Sequence, residues 1–235
     1  MTVSILKDAF GIIKSRWKEL LLVYAVVWLP VYIAVSMFND MHPFTDFEKW
    51  RNRMIISGLF YPVIQAAVYH VVFTVKNGER SRPWRSLLFG IQKWIPIIIA
   101  GIIADFIVTV SLLAFIVPGV FFAVRYSFLP CVVCFQEYRK DTARMISFRM
   151  TRRWFWTILR TVLVCAVMSG AVTIAIVMIP VPEAGNIHSV YQSCVDFASD
   201  ITWILPDIAI VLLYMKRHAG IEEESEGDGE KNPET

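Results

Sequence analysis

Ile95-Pro-Ile-Ile-Ile-Ala-Gly-Ile-Ile-Ala-Asp105-Phe-Ile-Val-Thr-Val-Ser-Leu-Leu-Ala-Phe-Ile-Val117 carries a single charged residue. A helix needs roughly 20 mainly apolar residues to cross a hydrocarbon core about 30 Å thick, and this stretch meets that length. Pro118-Gly119, a turn signal, follows at once, and a second apolar run extends from Val120 to Phe135. About forty apolar residues exceed any single crossing, so the pair reads as two spans joined by a tight turn.

Outward from this pair, four further apolar runs stand at Leu20 to Phe38, Ile55 to Val75, Phe155 to Ile179 and Val195 to Met215. The run from Val120 is short, and the last is interrupted by Asp196, Asp200 and Asp207. Hydrophobic residues make up 56% of the 235-residue chain and the mean hydropathy is +0.54, above the apolar share of a water-soluble domain. The fold class that follows is all-α: a polytopic membrane bundle of six transmembrane helices, with amphipathic interfacial helices on the cytoplasmic side. Residues 1–220 form this one domain.

Orientation follows from the basic residues, which are retained on the cytoplasmic side of spanning helices. Eighteen of the 23 Lys and Arg residues fall in alternate gaps: four before the first span, five between the second and third, six between the fourth and fifth, and three after the sixth. The intervening gaps hold only Lys49, Arg51 and Arg53. Both termini are therefore expected inside a plasma membrane of bacterial type. The net charge of +3 matters less than this asymmetry. The basic face predicts contact with anionic lipid headgroups and does not suggest a nucleic-acid partner.

The first apolar run begins near Leu20 behind a charged stretch and lacks a convincing cleavage site, so it is expected to stay as a span. Cys131, Cys134 and Cys165 lie inside predicted spans and Cys194 faces outward, which implies no disulfide framework.

The inside segments share a pattern. Val3, Leu6, Phe10, Ile13 and Trp17 recur at helical spacing opposite Lys7, Asp8, Lys14 and Lys18, describing an interfacial helix. Ser81 is placed to cap a second, with Pro83 in its first turn and Trp84, Leu87, Leu88, Ile91 and Trp94 as its apolar stripe. Asp141 can start a third, with Ala143, Ile146 and Met150 set against Arg144, Arg149, Arg152 and Arg153. Each ends in a basic residue followed by Trp, at Trp17, Trp94 and Trp154, which suggests three modules anchored at headgroup level. The tail 221–235 is acidic, almost without apolar residues, and expected to be disordered.

Ionisable groups inside spans are costly in lipid unless they find partners, which makes Asp105, Arg125, Arg160 and Asp207 the candidate functional residues. Two acids and two bases can neutralise one another. Arg160 is long enough to reach Asp207, and the turn at Pro118-Gly119 would set Arg125, on the outer side, near Asp105. Such a network either specifies helix packing or lines a polar pathway. Gln65 and His70 add polarity to the second span, with His70 near its inner end. Cys131-x-x-Cys134 inside an apolar helix reads as small-residue packing. No nucleophile elbow, phosphate loop, zinc motif or dinucleotide fingerprint occurs, so neither a catalytic activity nor a cofactor or metal is expected.

The stretch Phe115-Ile-Val-Pro118-Gly119-Val-Phe-Phe-Ala-Val-Arg125-Tyr-Ser-Phe-Leu-Pro130, followed by the basic helix and Trp-rich entry of Asp141 to Trp156, resembles a group of bacterial six-span proteins. That group is similar to the membrane domain of glycerophosphoryl diester phosphodiesterases. Leu212-Leu-Tyr214-Met-Lys-Arg217 resembles its closing aromatic and basic stretch. The resemblance implies fold and location alone, because the soluble barrel that carries the hydrolase residues is missing. The expected function is a non-enzymatic organising, insertion-related or partner-binding membrane component, with other membrane proteins as partners; a small permease or channel is the alternative.

Overall fold

The computed structural model describes residues 1–42, 44–136, 140–178 and 195–229. The chain is helical in α1 (Thr2–Met41), α2 (Asp46–Lys76), α3 (Pro83–Ala114), α4 (Ile116–Tyr126), α5 (Leu129–Phe135), α6 (Lys140–Arg152), α7 (Phe155–Val177), α8 (195–201) and α9 (Ile204–Gly229). No strand occurs among the described residues. Six helical segments are long and apolar enough to cross a membrane: Thr2–Asn39, Phe47–Lys76, Pro83–Ala114, Ile116–Phe135, Phe155–Ile176 and Val195–Ala219. These contain the six predicted spans, except the last few residues of the third and fifth.

The first two interfacial helices merge into their spans. Backbone dihedrals leave the helical region only at Arg16 inside α1, so the expected boundary survives as a kink ahead of Trp17. The start of α3 differs from expectation. Its N-cap is Arg82, without a side-chain cap bond, and Ser81 lies outside it. Pro83 forces the preceding residue into an extended conformation, which puts the boundary at Arg82 whatever the capping preference of Ser81.

The sharpest correction concerns Pro118-Gly119. The chain reverses at Phe115, whose backbone is extended, and both residues lie within α4. Pro118 is tolerated there because amides in the first turn have no intrahelical acceptor. Gly119 serves close approach: a Cβ on it would run into the Leu112 side chain and come within 2.8 Å of the Leu112 Cα. The glycine lets α4 fold tightly against α3 immediately after the reversal.

The fourth and sixth segments are both broken. α4 and α5 are separated by a turn at Ser127 and Phe128, and α8 and α9 by a turn at Thr202 and Trp203. Pro130 and Pro206 lie in the first turn after each break, where a proline starts a helix but cannot continue one.

α2 and α9 form the centre. Ile64, Ala66, Ala67, Val68, Tyr69, Val71 and Val72 of α2 and Ile208, Ala209, Val211, Leu212, Leu213 and Tyr214 of α9 are buried almost all round their helices. α3 and α7 lie outside, with Ile102, Phe106, Leu113, Leu163, Val167 and Ile174 exposed as a lipid-facing helix requires. Lipid gives little hydrophobic drive for helices to associate, so close packing and polar ties must hold such a bundle. Gly90 supplies one close contact, since a Cβ there would overlap the Val63 carbonyl and come within 3.3 Å of the Ala67 Cβ.

Asp8 on α1 meets Lys76 at the end of α2 (3.8 Å) and Lys216 of α9 (3.7 Å), which brings three of the basic regions to one end of the bundle. α9 continues to Gly229, past the expected domain boundary at residue 220. Glu222, Glu223, Glu224 and Glu226 are good helix formers in isolation, so polarity alone does not stop the helix. Residues 230–235 and Cys194 lie outside the described residues.

Candidate functional site

The four charged candidates do not assemble. Asp105 is exposed on the outer face of α3 and Arg160 is exposed on α7, and no described ion pair joins either to another residue. Arg125 turns away from Asp105: its Nη1 donates to the Phe148 carbonyl of α6 at 2.9 Å, and its guanidinium lies over the Phe121 and Phe148 rings. The Ser147 hydroxyl donates to the Arg125 carbonyl at 2.7 Å. The break after α4 lets α6 fold back along it, so Arg125 belongs with the basic amphipathic helix and not with Asp105.

Asp207 is buried, 2% exposed, in the first turn of α9. Its carboxylate accepts from the Tyr61 hydroxyl at 2.8 and 3.0 Å and from Gln65 Nε2 at 3.3 Å, both on α2. No described cation pairs with it. Its place at the start of a helix adds the partial positive charge of unpaired backbone amides. The two donors stand one helical turn apart on α2 and therefore share a face.

Asp207 closes a longer file. Asp196 pairs with Arg53 of α2, and Asp200 accepts a hydrogen bond from Tyr32 of α1. Tyr32 stacks on Trp28, with ring centroids 5.3 Å apart. Tyr24, one turn before Trp28, lies within electrostatic reach of both Asp200 and Asp207. The Tyr24 hydroxyl and the Trp28 indole N–H are buried without a hydrogen-bond partner among the described residues. Three acids from α8 and α9 thus run between α1 and α2, with Arg53 at one end and neutral donors along the rest.

Of the sequence candidates, only Asp207 belongs to this file. In the sequence Asp196 and Asp200 stand as interruptions of the last span, and Gln65 as added polarity in the second. Tyr24, Tyr32, Arg53 and Tyr61 were missed. Their signal is spacing: Tyr24, Trp28 and Tyr32 recur every four residues, and Arg53, Tyr61, Gln65 and Tyr69 are separated by intervals of eight, four and four. Each set makes a polar stripe on an otherwise apolar helix.

His70 Nδ1 lies 3.0 Å from Ser86 Oγ, between α2 and α3. Cys131 and Cys134 are buried in α5, and no group of described side chains forms a metal site. Of the three anchoring tryptophans only Trp17 is mainly exposed. Trp94 donates from Nε1 to the Leu59 carbonyl at 2.6 Å, in the turn before Pro62, and Trp154 packs on the core.

No protein-family model, curated protein or solved structure matches the chain.

Proposed function

We propose that the chain is a multi-pass protein of a bacterial-type plasma membrane, with both termini cytoplasmic, that works as a small permease in which Asp207 takes up and releases a proton. The observation that carries this reading is a buried carboxylate held by a phenol and an amide, with no cation paired to it among the described residues. An ionised group in that position is expensive, and protonation removes the cost. A discontinuous helix with Asp207 in the first turn after the break, beside Tyr24 and Trp28 donors that have no partner among the described residues, is the construction in which membrane proteins place polar ligands. The basic cluster around Asp8, Lys76 and Lys216 supports the cytoplasmic assignment of that end.

A second reading is the organising or partner-binding component, favoured by one feature: each acid of the file bonds to a different helix from its own. Such ties specify packing. The resemblance to phosphodiesterase membrane domains supports location under either reading and brings no catalytic residue.

Proteoliposomes with an imposed pH gradient separate the two. They are incubated with a mixture of small polar metabolites and their contents identified by mass spectrometry. The permease reading requires accumulation above empty liposomes that is lost in Asp207→Asn while the melting temperature holds. Absence of accumulation, or a matching collapse of stability, favours the packing role.

A further inference from the structure

α6 and α4 line a second site of opposite character, an open cleft. A pocket of about 630 Å³, within the size range of small-ligand sites, is lined by Arg125, Arg144, Arg149 and Arg152, with Tyr126 and Phe148 between them. Among the described residues, none that lines it is acidic. Arg125 and Arg152 lie within electrostatic reach of one another. These two like charges repel, and an anion between them reverses the sign of that interaction.

The arginines are also placed to meet an anion with several oxygens. The Arg125 guanidinium is oriented by the two rings beneath it and by the Phe148 carbonyl, while its buried Nε has no partner among the described residues. Arginine forks match phosphate oxygens in pairs. α6 adds an exposed Met145 beside the arginines, so the cavity offers both charge and an apolar margin.

We infer that the Arg125, Arg144, Arg149 and Arg152 pocket binds a phosphate ester, in the form of an anionic lipid headgroup. The inference does not depend on Asp207 or on transport. Arg149 and Arg152 are exposed at the pocket's rim, so their replacement should leave the bundle folded.

Full-length wild type, the double variant R149Q/R152Q and the charge-matched control R80Q/R82Q are compared by native mass spectrometry. Phosphatidylglycerol and phosphatidylcholine are titrated against each, and melting is followed with glycerol 3-phosphate. Wild type and control should prefer phosphatidylglycerol, and R149Q/R152Q should lose at least about fivefold in that affinity through missing charge-assisted contacts. A headgroup as the source leaves melting unmoved by glycerol 3-phosphate. A saturable rise in wild type, absent from R149Q/R152Q, identifies a free phosphate ester instead and overturns the lipid assignment. Equal loss in the control, or no preference between the lipids, overturns the pocket. If R149Q/R152Q does not fold, R149K/R152K keeps the charge without the forks, and unchanged affinity there also overturns it.

Discussion

Tyr61 donates its phenolic proton to the Asp207 carboxylate across the α2–α9 interface, within 3.0 Å of both oxygens. Tyr61→Phe keeps the ring and removes the donor, leaving a buried carboxylate with Gln65 alone. A loss of about 1–3 kcal/mol is expected. Asp207→Asn retains an acceptor and removes the charge, so it should cost less. Thermal unfolding of both single variants and the double should show a coupling of at least about 0.5 kcal/mol. Additive effects would mean that the hydrogen bond contributes nothing to the fold.

Gly90 predicts a contrast between two glycines of α3. Gly90→Ala drives a methyl group into the Val63 carbonyl and should separate α3 from α2, at a cost of about 1–3 kcal/mol. Gly101 has nothing within 4 Å of an added Cβ, so Gly101→Ala should be neutral or stabilising by up to about 1 kcal/mol. Detergent melting curves give the order of the two. Trp94 fluorescence should shift only in the first, where its bond to Leu59 is broken.

The α3–α4 reversal distinguishes a turn from a packing contact. Pro118→Ala should change stability by less than about 1 kcal/mol, because the proline sits in a helix first turn and the reversal is at Phe115. Gly119→Ala should be much more damaging, since α4 cannot approach Leu112 with a Cβ in place. Equal sensitivity at both positions in a melting experiment would point back to a Pro-Gly turn.

Arg53 and Asp196 offer a control at the exposed end of the acid file. Both side chains are partly accessible, at 32% and 17%, so Arg53→Gln should cost no more than about 1 kcal/mol. Reporter fusions placed after Met215 should remain cytoplasmic in the wild type. Periplasmic signal there would reverse the orientation.

Segment number, helical class and the distribution of basic residues follow from composition and order alone, because bilayer thickness and hydrogen-bond satisfaction leave an apolar 20-residue segment little choice but a helix. Partnership was not legible at the same level. Asp105, Arg125 and Arg160 look like a network with Asp207 when placed by depth, yet helix rotation turns Asp105 and Arg160 outward and hands Arg125 to α6. Tyr24, Tyr32 and Tyr61 look like ordinary aromatic filling until α1, α2 and α9 converge on one acid file. Gly119 shows the same division at a single position: its small size is written in the sequence, but only the return of α4 onto Leu112 decides what that size is for. Solvent partition is local and can be read along the chain, whereas which faces meet depends on rotation, kinks and breaks summed over all the helices.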